Sequence, residues 1–170
     1  RVAGVIAIVI AVAFGGASIA GPVDVSVTKI SLQPGENEAG QPRERGGRLT
    51  FRGGLQLSSA DNRFGGFSAL QVAGDGGRLV ALSDDGNRLD ARLVYDIEGH
   101  LAGLRDARLQ PLLGTDGKPL ARKIIRDAES LAHDGAGGLI VGFEHHHRLW
   151  HYPKIGLPRP LLPPAQLASA

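Results

Sequence analysis

The residues best equipped for chemistry are five acids, Asp84, Asp85, Asp127, Glu129 and Glu144, each at the end of an apolar run or at the start of a repeated segment. Clustered carboxylates suit a hard cation such as Ca2+, which takes about six to eight oxygen ligands. A cation so held neutralises a phosphate or polarises a scissile ester. Asp127, Glu129 and Glu144 are the candidate cation ligands, and Asp84, Glu129 and Glu144 the candidate catalytic carboxylates. The competing reading is that an acid at a strand end satisfies turn N–H groups, as Asp does routinely; Asp75 and Asp85 are read that way. Glu144 also heads the run Glu144-His145-His146-His147-Arg148. In a strand, adjacent side chains point to opposite faces, so only Glu144, His146 and Arg148 can cooperate. At a hairpin tip the histidines are solvated instead, and neither arrangement makes a zinc site. Arg148 can grip a phosphate or carboxylate bidentately or form a structural ion pair with Glu144; the sequence leaves both open.

Other catalytic signatures are missing. No G-x-S-x-G nucleophile motif occurs, and Gly74-Asp75-Gly76-Gly77 and the glycines at 135–138 lack the lysine and following helix of a phosphate loop. Trp150 and Tyr152 read as sheet packing. The 19 basic and 17 acidic residues give a net charge of only +2. The grouping of Arg43, Arg45, Arg48 and Arg52 has only Phe51 among it. Nucleic-acid binding needs clustered cations with stacking aromatics, so that partner class is excluded and a small anionic or ester substrate is expected.

These residues are positioned by a segment that the chain writes twice, at 67–95 and again at 127–152. In each copy an apolar run leads to a glycine-rich turn and then to a second apolar run ending in an acid. An Arg-Leu strand closing on Tyr follows. Leu70 corresponds to Leu131 at an offset of 61, and Leu79 to Leu139, Val80 to Ile140 and Asp84 to Glu144 at 60, so one residue is lost in the turn. A supersecondary unit at this period signals an array such as a propeller, whose units bury their faces on one another. No segment after residue 20 holds a helical apolar stripe for three turns. The expected fold is therefore all-β, part of a β-propeller of about two blades of antiparallel strands in an incomplete ring, since closure takes about four to eight blades.

Around the repeat, residues 1–20 read as a secretory signal peptide, with an apolar stretch over 2–14 and Ser18-Ile19-Ala20 as the cleavage site. Removal of that segment leaves no stable membrane span. Cysteine is absent, so export to the periplasm or beyond brings no disulfides. Residues 21–47 read as a first strand (24–32) and a polar loop, 48–156 as the partial propeller, and 157–170 as a truncated Pro-rich end with no further strand.

In order along the chain, Phe64-Gly65-Gly66-Phe67-Ser68-Ala69-Leu70, Ala81-Leu82-Ser83-Asp84, Ala91-Arg92-Leu93-Val94-Tyr95-Asp96, Asp127-Ala128-Glu129-Ser130-Leu131-Ala132 and Phe143-Glu144-His145-His146-His147-Arg148 resemble the esterase-like phytase family. That resemblance implies an exported phytase-like β-propeller that hydrolyses phosphate or carboxylic esters, with Ca2+ as the implied cofactor. It carries function onto Asp84, Asp127, Glu129, Glu144, His147 and Arg148. The chain departs from the family at Asp85, His145 and His146, where basic residues are usual, which weakens the expected hold on phosphate. The alternatives are a non-catalytic periplasmic propeller that binds a ligand or protein, and an inactive fragment.

Overall fold

The computed structural model describes residues 20–30 and 52–162. All but the last residue of the signal segment, the whole of the polar loop and the last residues of the Pro-rich end lie outside them. The described chain is β-sheet apart from one helical turn. In order, its elements are β1 Gly21–Pro22, β2 Ser26–Ile30, β3 Gly54–Ser58, β4 Phe67–Val72, β5 Arg78–Ser83, β6 Asn87–Tyr95, β7 Leu101–Pro111, α1 Lys123–Arg126, β8 Ala128–His133, β9 Leu139–Phe143, β10 Arg148–Tyr152 and β11 Arg159–Leu161. All the ladders are antiparallel: one sheet runs β1-β7-β6-β5-β4, a second β11-β10-β9-β8, and β2 pairs with β3. Among the described residues no ring is closed.

The repeat seen in the sequence is a repeat in space, down to its irregularities. β4 pairs with β5 and β8 with β9 in the same register, and both first strands carry a bulge at the equivalent residue, Ser68 or Glu129. At one end the Asp84 N–H donates to the Gly66 carbonyl and the Glu144 N–H to the Asp127 carbonyl, both at 2.9 Å. At the other end Ala73 is bonded to Arg78, and Asp134 to Gly138. The second of these turns is one residue shorter, which accounts for the change of offset from 61 to 60. One part of the sequence reading is corrected. The tip 144–147 is one residue longer than its counterpart, so Leu82 pairs with Arg88 whereas Gly142 pairs with Leu149. Ladder position therefore sets Arg148 opposite the Asn87 site and Tyr152 opposite Ala91, and the two closing tyrosines are not equivalent.

Each unit also gains a fourth strand that the sequence reading passed over. β7 continues the meander beyond the turn at 96–100. β11 lies inside the Pro-rich stretch expected to hold no strand, and it is an edge, where a residue such as Pro160 that cannot donate to the ladder is tolerated. The link between the two units contains α1.

The two large sheets pack face to face, with β8 against β4 and β5. Val80, Leu82 and Ala69 from the first sheet meet Leu139, Val141, Phe143 and Ala128 from the second, joined by Leu112 from the connection. Burying each large apolar side chain contributes about 1.5–3 kcal/mol, so this seam is the principal bond between the units. The other face of the first sheet, with Ala81, Leu89, Ala91 and Leu109, is covered by Val23, Val25, Phe64 and Phe67.

Candidate functional site

Equivalent ends of the two sheets meet along one rim, where the tips 84–86 and 144–147 face the connection carrying α1. Asp127 is the hub. It closes α1 and opens β8, its side chain is only 6% exposed, and its two oxygens are held separately. Lys123 Nζ lies 3.3 Å from Oδ1 and His145 Nε2 lies 3.1 Å from Oδ2. The spacing of Lys123 and Asp127 is i, i+4, which a helical turn brings onto one side. The same ammonium reaches across the seam to Asp84, 2.9 Å from Oδ2 and 2.9 Å from the backbone carbonyl. Its pKa is raised, chiefly by the hydrogen bond to Asp84 and also by Asp127. Beside it Arg126 bonds Asp85 at 3.0 Å. Lys123 and Arg126 thus staple the second unit to the acids of the first.

His145 adopts a left-handed conformation with φ 56°, which costs a non-glycine residue about 1–2 kcal/mol. That conformation belongs to the tip that folds its ring back onto Asp127. Arg148 has another task. Its guanidinium stacks 4.0 Å from the Phe143 ring centre and 4.8 Å from that of Trp150. It donates to the carbonyls of Ile125 and of His146, the latter at 3.1 Å, and burial lowers its pKa. Among the described residues Arg148 makes no ion pair with Glu144. It clips the connection to the hairpin tip.

Glu129, Glu144, His147 and Arg148 line one open cleft of about 750 Å³, together with Ser130, Gly142, Phe143, Leu149 and Leu161. Glu129 projects from the β8 bulge, and Glu144 and His147 flank the tip of the next hairpin. Glu144 is exposed and has no ion pair or side-chain hydrogen bond among the described residues. Of the candidates from sequence, the structure brings Glu129, Glu144, His147 and Arg148 around the cleft and sets Asp84 and Asp127 about Lys123. Asp127, Glu144 and His145 have potential ligand atoms within 4.8 Å of one another, so His145, rather than Glu129, completes the tightest group. Two carboxylates and one imidazole fall short of the oxygen-rich shell that Ca2+ prefers. Sequence reasoning missed Lys123, although its spacing from Asp127 was a usable signal. It also dismissed His145 because a tip residue is normally solvated.

The fold and rim define an all-β repeat protein whose second strands end in acids at a shared edge. The family model for phytase-like proteins, described as "esterase-like activity of phytase", matches residues 62–169, and the chain belongs to that family. No curated protein and no solved structure gives a significant match.

Proposed function

We propose that this chain is an exported hydrolase-like protein acting on phosphate or carboxylic esters, and that its five-stranded and four-stranded sheets are neighbouring blades of a propeller. The observation that carries the catalytic reading is the gathering of Glu129, Glu144, His147 and Arg148 around one cleft. Glu144, free of a partner among the described residues, accepts the proton of an attacking water. His147, across the tip, delivers a proton to the leaving oxygen. General acid–base help of this kind is worth about 10²–10⁴-fold.

Charge decides between the two ester classes. Around the rim five carboxylates (Asp84, Asp85, Asp127, Glu129, Glu144) face three fixed cations (Lys123, Arg126, Arg148), an excess of two negative charges that falls to one when His147 carries the proton it delivers. Such a site repels a phosphate dianion and favours a neutral acyl ester. A divalent cation at Asp127, Glu144 and His145 would cancel that excess and admit phosphate, with water or substrate supplying the oxygens that Ca2+ lacks there. The test is a panel of chromogenic acyl and phosphate esters assayed with added Ca2+ and with a chelator. Acyl turnover in either condition and phosphate turnover only with the cation are expected; no turnover of either class would leave a ligand-binding propeller as the reading.

A further inference from the structure

The face of the first sheet that forms the seam turns from apolar to charged one strand further out. Val80 and Leu82 on β5 lie in the seam, and the residues opposite them on β6 are Asp90 and Arg88. Between β6 and the segment 152–158 two adjoining cavities open. One, of about 400 Å³, has apolar walls that include Leu112, Leu113, Pro119 and Pro158. The other, of about 320 Å³, is lined by Arg78, Arg88, Asp90, His133 and Lys154 among others. Arg88, Tyr152 and Pro153 line both, and Tyr152 is fixed there by donating to the Leu113 carbonyl at 2.9 Å. The charged cavity is short of anions. Its one carboxylate, Asp90, already accepts from Arg88 at 2.6 Å and from Gln110 at 3.2 Å. Arg78 and Lys154 have no ion pair among the described residues. Arg78 also stands directly opposite Arg92, and like charges so paired across strands cost stability. Arg88 Nε is buried without a hydrogen-bond partner, a desolvated donor that costs stability until an acceptor reaches it.

We propose that the two cavities form one binding site for a small organic anion. A compact apolar body fills the Leu and Pro chamber, and a carboxylate or phosphate-type head lies among Arg78, Arg88 and Lys154. Guanidinium groups grip either head bidentately. Apolar walls with a few placed polar groups, in a volume of about 300–1,000 Å³, are what small-ligand sites offer. With Asp90 offset by Arg88, Arg78 and Lys154 leave a surplus of two positive charges for the head. A small turn of the Arg88 guanidinium towards that head gives Nε its acceptor. The site is separate from the acidic rim. Arg78 opens β5 whereas Asp84 follows it, and His133 closes β8 whereas Asp127 precedes it, so the charged cavity lies towards the opposite end of the sheets. The rim repels anions and this cleft attracts them, and the proposal does not depend on the hydrolase reading.

The probe is phenylacetate, titrated by calorimetry into the full chain. Saturable binding with a Kd of about 1 mM or tighter is expected for a ligand of about ten heavy atoms. Acetate, which lacks the apolar body, and phenylacetamide, which lacks the charge, should each bind at least about tenfold more weakly. Arg78 and Lys154 are exposed, so replacing both with Gln leaves the core intact, and Arg78→Gln also relieves the repulsion with Arg92. The double variant should keep its circular dichroism and weaken phenylacetate at least about tenfold. Lys154→Gln alone, in the loop after β10, should weaken it about threefold. Phenylphosphonate in parallel names the head group: tighter binding than phenylacetate assigns a phosphate-type head, weaker binding a carboxylate. The absence of saturable binding by both aromatic anions would overturn the proposal. So would acetate or phenylacetamide binding as well as phenylacetate, or affinity indifferent to the substitutions. Calorimetry reads binding without turnover, so failure of this site and failure of the hydrolase reading are separate results.

Discussion

Replacing Leu82 with Ala tests whether the two units fold as one. Leu82 is 0% exposed and sits in the seam with Val141 and Phe143. Truncating a buried leucine costs about 2.7–5.0 kcal/mol, depending on how far the surroundings collapse. The neighbours here are strands pinned on both sides, which collapse little, so about 3–4 kcal/mol is expected. At a urea dependence of about 1.5–2 kcal/mol/M, the unfolding midpoint falls by about 2 M. The sole tryptophan, Trp150, lies in the second unit, whereas Leu82 lies in the first. Fluorescence therefore reports the unit that was not mutated. A seam that couples the units moves the Trp150 transition by the full amount, together with the circular dichroism. Leu149→Ala, on the open face, should move it by less than about 0.5 kcal/mol. A Trp150 transition that ignores Leu82→Ala while the circular dichroism splits into two steps would refute the reasoning.

Other predictions follow from the polar contacts. Asp134 is held at about 2, first by its hydrogen bond to His151 at 2.7 Å and then by the N–H groups of Ala136 and Gly138. Because the folded pKa is depressed, this stabilisation is complete above the ordinary carboxylate value and is lost as pH falls through about 2. The stability gap between the wild type and Asp134→Asn should therefore shrink steadily in urea melts taken from pH 5 down to 2; a gap that stays constant would contradict the assignment. Arg148→Met keeps much of the apolar stem but loses the aromatic stacking and two carbonyl bonds, and should cost about 1–3 kcal/mol. Hydrogen exchange in that variant should speed at residues 123–127, which Arg148 fastens; unchanged exchange there would show that the clip is idle. Asp127→Asn should abolish any Ca2+-dependent rise in melting temperature, whereas Glu129→Gln, outside the tightest ligand group, should retain most of it.

Much of the fold was legible because β-structure here rests on short-range signals. Apolar runs separated by glycine-rich turns marked β4, β5, β8 and β9, and self-comparison fixed their equivalence to within a residue. The fourth strands were not legible for physical reasons. β7 mixes charges with apolar residues, burying Ala107 and Leu109 while Arg105, Asp106 and Arg108 stay exposed. β11 is a three-residue edge containing proline. The extra residue in the 144–147 tip broke the alignment of the third strands, because insertions gather where the chain is solvated. At the site, the repeat singled out Glu144 through its counterpart Asp84. It could not show that Asp84 is engaged by Lys123, since that contact joins residues 39 positions apart across the seam. Arg148 was noticed for its charge, but its aromatic stacking depends on a ladder register that the sequence left open.

The two acids that the repeat makes equivalent are distinguished by their surroundings, and comparing them is the most direct test of the functional account. Asp84 is paired with Lys123 at 2.9 Å, whereas Glu144 lines the cleft without a partner among the described residues. The decisive measurement is kcat/KM on the best chromogenic ester for Glu144→Gln beside Asp84→Asn, with both variants shown to be folded. A loss of about 100-fold or more is expected for Glu144→Gln and of less than about fivefold for Asp84→Asn. Full activity in Glu144→Gln, or the larger loss in Asp84→Asn, would contradict it.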